Sequence, residues 1–261
     1  MNSLPIKMNL PKKFIRFISI AAITLSGYLI SGTSPRTDII KDRTAYIGEN
    51  LESIIHLQNE KFESLRIEQS RIPSVKVGIP KSYIEKTYKE YGTRPLGVYN
   101  PSTNTIFITD YPFVNINTVL KHELGHSYAD SLSESLGNGN WPLACKDKYS
   151  ELGLRLVSEG IAEFIETEVT GRKSNFKDSA WPRSTENFWN RDSTLKKYLI
   201  YDGGRHLVGD VIREYGREGI IYLMDNLPTK EDLSDLPSYK SRVLEELSNR
   251  NARLLYQLRY Q

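Results

Sequence analysis

Two histidines one helical turn apart constrain this chain more than any other feature. They frame an H-E-x-x-H pentad, His122-Glu123-Leu124-Gly125-His126, inside the stretch 119–130. On an α-helix, residues four apart lie one above the other on a single face, about 6 Å apart. Imidazoles so placed can point at one ion, and Zn²⁺ takes histidine nitrogen at about 2.0–2.1 Å. Glu123, one turn before His126, flanks that ion and can take a proton from a water the ion acidifies. Val119, Leu120, Leu124, Tyr128 and Leu132 recur at helical spacing, which predicts a half-buried helix. Two His and a Glu beside a buried face are poorly satisfied without a ligand, so the pattern predicts a metal site rather than a solvated polar face.

A protein zinc site needs a third ligand, and a catalytic one leaves its fourth position to water. Asp130 lies four residues past His126 but eight past His122, about 12 Å along the axis, too far for all three to share an ion. Ala129 and Leu132 stand where the extended H-E-x-x-H-x-x-G-x-x-H pattern has Gly and His, which excludes the metzincin arrangement. The next strong helical pattern, residues 150–169, carries Ser158-Glu159-Gly160-Ile161-Ala162-Glu163. Glu159 is expected to ligate. Glu163, one turn on, is expected to accept the ring N–H of a ligating histidine, His122, and so fix its orientation. The alternative is an exposed acidic face, which Glu166 and Glu168 would continue.

The first 35 residues differ from the rest. Lys7, Lys12, Lys13 and Arg16 precede an apolar run over 17–30, and no charge follows until Arg36. A basic start before a short apolar run reads as a secretory signal, or as an uncleaved anchor if the uncharged stretch 17–35 spans a membrane. The expectation is export, to an extracellular or periplasmic location, with residues 1–35 as signal peptide or N-terminal membrane anchor and 36–261 as one domain. The net charge of +3 is interspersed, and no Lys/Arg run is dense enough for a nucleic-acid groove. The single cysteine, Cys145, forms no intrachain disulfide, and is read as a small buried or half-buried side chain.

Around these features the pattern predicts an α+β fold: a small antiparallel or mixed β-sheet, then the motif helix, then a mainly α-helical C-terminal lobe. Residues 37–69 read as one helix or two, stopped by Pro73. His56 is read as a surface or half-buried side chain. Val75, Val77 and Ile79 alternate as a short strand, and 82–91 read as a helix ending at Gly92. Residues 96–99 and 105–109 read as a β-hairpin around a dense turn signal. The motif helix starts at Asn115 or Asn117, either of which can cap it, and a loop over 137–142 ends it. After the helix at 150–169, stopped by Gly171, residues 172–190 read as an ordered, aromatic-rich loop. A helix over 192–215 with a break at Gly203-Gly204, a helix over 217–225, a linker from Pro228 to Pro237 with a capping signal at Thr229, and a helix over 238–258 complete the chain.

With His122, Glu123, His126, Glu159 and Glu163 in these places, the chain resembles the gluzincins. These are H-E-x-x-H metallopeptidases, including the thermolysin-like and M1 aminopeptidase-like branches, whose third ligand is a glutamate on a following helix. The resemblance covers the order of elements over residues 95–225. It implies Zn²⁺, a zincin-like fold, and a substrate-binding sheet ahead of the motif helix. Tyr201-Asp202-Gly203-Gly204 is similar to the Tyr-x-x-Gly of M1-like enzymes, whose phenol stabilises the oxyanion, and His206 is the rival donor. The resulting expectation is a zinc metallopeptidase acting on a peptide or protein substrate, with Glu123 as general base, Tyr201 polarising the carbonyl and the strand Thr105–Thr109 pairing with extended peptide. The alternatives are an exported binding module without turnover and a metal-free helical anchor protein.

Overall fold

The computed structural model of the protein describes residues 36–68, 71–136 and 147–259. The signal or anchor segment, Cys145 and the loop expected at 137–142 lie outside them. The chain divides into a unit Met1–Ile39 and a unit Ile40–Gln261, and the second holds the sheet and the candidate metal centre. Among the described residues no helix is long and apolar enough to cross a membrane.

The elements run α1 (Arg36–Phe62), β1 (Ser74–Val77), α2 (Lys81–Tyr91), β2 (Gly97–Asn100), β3 (Thr105–Ile108), α3 (Ile116–Ser135), α4 (Lys148–Thr170), α5 (Thr185–Trp189), α6 (Ser193–Tyr198), a π-turn (Leu199–Gly203), α7 (Gly204–Asp225) and α8 (Leu236–Arg259). The fold is mostly helical with a three-stranded mixed sheet. α1 ends seven residues before the predicted limit: a 3₁₀ turn follows it, and Arg66 at φ 55° turns the chain away. His56 is exposed and pairs with Glu60 on α1 at 3.3 Å.

The sheet order is β1-β3-β2, with β1–β3 parallel and β2–β3 antiparallel. The hairpin forms in the register Gly97↔Ile108 to Asn100↔Thr105. The expectation that Thr105–Thr109 pairs with a peptide fails: β3 is the central strand, and its backbone groups are already taken on both sides. Strand β2 is an edge. Its Leu96 flank accepts from Thr109 N–H at 2.8 Å, so by alternation the backbone groups of Gly97 and Tyr99 face away from β3.

Two apolar cores flank the motif helix. One joins α1 and the sheet through Ile47, Ile54, Ile106 and Ile108 and takes Leu120 and Leu124 from α3. The other, larger core lies among the later helices and takes Tyr128, Ala129 and Leu132. α3 is thus apolar on two sides, and its histidines occupy the sector between. Its N-cap is Asn115, whose side chain accepts from Thr118 N–H at 3.3 Å. The other candidate, Asn117, instead accepts from Tyr46 on α1 at 2.7 Å. α4 opens with a capping box between Asp147 and Ser150 and closes on Gly171 in the left-handed region.

The later chain follows its predicted order with two differences. Residues 172–190 hold a 3₁₀ turn at Asp178–Ala180 and the short α5, with Phe176, Trp181 and Phe188 buried. At Gly203-Gly204 the helix does not break but widens into the π-turn before α7. Gly216 kinks α7 at φ 54°, against the Leu65 carbonyl, and the helix resumes to Asp225. The Pro228–Pro237 segment contains a 3₁₀ turn in which Thr229 and Asp232 cap each other.

Candidate metal centre

The site forms where α3 crosses α4. Gly125, between the two histidines, packs on Ala162 so closely that a Cβ on it would fall 2.6 Å from the Ala162 Cα. That approach brings Glu159, one turn before Ala162, up to the imidazole pair. Its Oε2 lies 3.2 Å from His122 Nε2 and 3.4 Å from His126 Nε2. Ligand atoms of the three residues all lie within 4.8 Å of one another. At Zn–ligand lengths of about 2.0–2.1 Å, a tetrahedral site places neighbouring ligand atoms about 3.3–3.4 Å apart. The Glu159-to-imidazole spacings match one ion coordinated by all three side chains, so His122, His126 and Glu159 form a group able to hold a metal ion.

The outward nitrogen of each imidazole is anchored. His122 Nδ1 lies 3.3 Å from Glu163 Oε2, as the spacing predicted. His126 Nδ1 lies 3.1 Å from Ser158 Oγ. Both Nε2 atoms are therefore directed at Glu159, the arrangement that outer partners impose on metal-bound histidine. The Glu163 carboxylate also takes Arg172, whose Nη2 lies 2.8 Å from Glu166 Oε2.

The charges around this group act on one another. Burial would raise the Glu159 carboxyl, but the two imidazoles outweigh it and hold it well below the ordinary range. Burial would lower His122, and its bond and charge contact with Glu159 reverse that and raise it. Glu123 is raised: burial is the main cause and Glu159 adds to it, against the charges of His126 and His122. Glu123 is almost fully buried beside the sheet, where the Tyr99 backbone N–H donates to its carboxylate. A Cβ at Gly97 would fall 2.5 Å from Glu123 Oε1, so the β2 edge lies directly over this group.

The other predicted residues separate. The Tyr201 ring, on the π-turn, lies against the His122 ring at 5.6 Å between centroids. His206 is turned to a different partner, Asp178 Oδ1 at 2.8 Å, and stacks near Phe176. Asp130 is buried and accepts from the Tyr99 hydroxyl at 2.8 Å, outside the metal group as the axial-distance argument required. Ser158, Arg172 and Gly97 were not anticipated. The available signals were a small hydroxyl next to Glu159 in an otherwise apolar run, a cation just past the Gly171 stop, and a glycine opening a short strand. Comparison with protein-family models, with curated proteins and with solved structures finds no match for this chain.

Proposed function

We propose that this chain is a zinc-dependent metallopeptidase of the gluzincin type, with a zincin-like fold over residues 36–261. The observation that carries this reading is Glu159 Oε2 at 3.2 and 3.4 Å from two imidazole nitrogens whose far sides are anchored by Glu163 and Ser158, with a buried Glu123 alongside. His122, His126 and Glu159 would hold Zn²⁺, which supplies Lewis acidity and a water acidified towards neutrality.

The remaining work falls to the chain's own residues. Glu123 accepts the proton of the attacking water and delivers it to the departing amine. Its raised proton affinity favours the first of these transfers, because a carboxylate that holds a proton more readily is the better base. The Tyr201 phenol, beside His122, donates to the carbonyl oxygen as negative charge develops there. The substrate is a peptide or protein bound in extended form. Its backbone pairs with the outward-facing groups of Gly97 and the Tyr99 carbonyl on the β2 edge, the Tyr99 N–H being held by Glu123, in place of the β3 role expected from sequence. The basic, apolar segment supports export, with residues 1–35 as signal peptide or as an N-terminal anchor that attaches to the membrane through residues 17–35.

The test is the full chain carrying Glu123→Gln, assayed on a peptide library and analysed for zinc. The reading expects about one zinc per chain and loss of hydrolysis. Retained hydrolysis would overturn Glu123 as base. A zinc-loaded wild-type chain that binds a partner but cleaves nothing would favour an exported binding module.

A further inference from the structure

Beyond the residues that face the metal group, one cation is tied to its framework. Arg172 stands one residue past Gly171, whose φ of 71° turns the chain back over the end of α4. The guanidinium consequently reaches residues six and nine positions earlier on the helix it has just left. Its Nη2 contacts Glu163 Oε1 and lies 2.8 Å from Glu166 Oε2, and those side chains are only 6% and 2% exposed. Glu163 uses its other oxygen on His122 Nδ1, at 3.3 Å. A single carboxylate therefore bridges His122 to Arg172. Glu166 has a further bond, from Thr170 Oγ1 at 3.0 Å, and Asp202, next to Tyr201, adds negative charge on the Arg172 side.

Glu123, Glu163 and Glu166 are buried around this crossing and Glu159 is half-buried. Buried carboxylates need charge-assisted partners to keep one orientation. Arg172 meets two of them through a single guanidinium nitrogen, Nη2, and so ties the Glu163 and Glu166 carboxylates to one cation. We propose that Arg172 is a positioning residue of the metal centre: it fixes the Glu163 carboxylate so that His122 presents Nε2 to the ion. The proposal rests on the metal reading above. Without Arg172, Glu163 is free to turn from His122, and the His122 ring loses the partner that orients it.

The experiment is a competition titration of Zn²⁺ against a chromophoric chelator, on the full chain and its R172A, R172K, E163Q and R172A/E163Q variants. Folding is checked by circular dichroism, and the Co²⁺-substituted visible spectrum is recorded for each. Outer partners of metal-bound histidine are worth about 10–100-fold in affinity. R172A is expected to weaken Zn²⁺ about tenfold and to change the Co²⁺ spectrum. R172K should recover part of the loss, and R172A should add little in the E163Q background because it acts through Glu163. Wild-type affinity and spectrum in R172A, or full additivity with E163Q, would overturn the proposal. If R172A does not fold, R172Q is titrated in its place: wild-type affinity together with a wild-type Co²⁺ spectrum there is the overturning result. A wild-type chain that takes up no Zn²⁺ instead overturns the metal reading itself, and this proposal with it.

Discussion

Gly125 of the motif helix lies against Ala162 of the following helix with no room for a side chain between them: a Cβ on Gly125 would meet the Ala162 Cα at 2.6 Å. This backbone approach sets the separation of α3 and α4, and with it the reach of Glu159 to the two imidazoles. Gly125→Ala must push the helices apart or distort one of them. Overpacking of this kind costs about 1–3 kcal/mol. Thermal melts should show the loss, and Zn²⁺ titration should show weaker binding, because Glu159 moves with Ala162. A variant with unchanged melting and affinity would show that the crossing does not control the site.

Gly97 has a parallel relation to Glu123. A Cβ there would meet Glu123 Oε1 at 2.5 Å and the Val119 side chain at 2.6 Å. Gly97→Ala should displace the proposed general base, Glu123, or the β2 edge while leaving the three proposed ligands in place. The expected outcome is zinc content like wild type with peptide hydrolysis lowered by about 10²-fold or more, since small misplacements of a catalytic group cost that much. Loss of zinc with activity would instead place Gly97 in the support of the ligands.

Tyr201 and His206 are separated by their surroundings. Tyr201 lies against His122, whereas His206 is paired with Asp178. Tyr201→Phe is expected to keep its zinc and lose about 10²–10³ in kcat, the range seen when one oxyanion donor is removed. His206→Gln is expected to stay within a few-fold of wild type. The reverse order of effects would assign the oxyanion donor to His206.

The pH dependence of stability has one contributor far from the metal group. Asp232 is 8% exposed. Burial works to raise its carboxyl, but the Thr229 N–H and hydroxyl and the Arg242 guanidinium outweigh it and leave it below the ordinary value. A depressed carboxyl stabilises the fold above its unfolded value, near 3.9, and that contribution disappears as pH falls through the lower folded value. Asp232→Asn should therefore cost about 1–3 kcal/mol at neutral pH. In urea melts the gap to wild type should hold above about pH 5 and close on acidification. A gap independent of pH would remove the carboxylate charge from the explanation.

Much of the site was legible because its parts are local. His122 and His126 recur at one helical turn, as do Glu159 and Glu163, and turn spacing is read directly from sequence. What joins distant segments was not. The parallel pairing of β1 with β3 links residues about thirty apart, so the hairpin was readable but the identity of the edge strand was not. Ser158 serves His126 only because α3 and α4 cross at Gly125 and Ala162, which no periodicity announces. Arg172 follows a helix stop that was foreseen, yet the direction in which the chain turns back depends on the left-handed conformation of Gly171. α1 ended early because Arg66, without a Gly or Pro signal, adopts φ 55°. At Gly203-Gly204 two glycines suggested a break, and the helix instead takes one wider turn that carries Tyr201 beside His122.

The most direct test of the account is elemental analysis of the full chain after zinc loading and removal of excess metal, for wild type and for Glu159→Ala. The account predicts about one zinc per wild-type chain and little in the variant, because the third protein ligand is gone. A wild-type chain without zinc, or a Glu159→Ala chain that keeps a full equivalent, would contradict it.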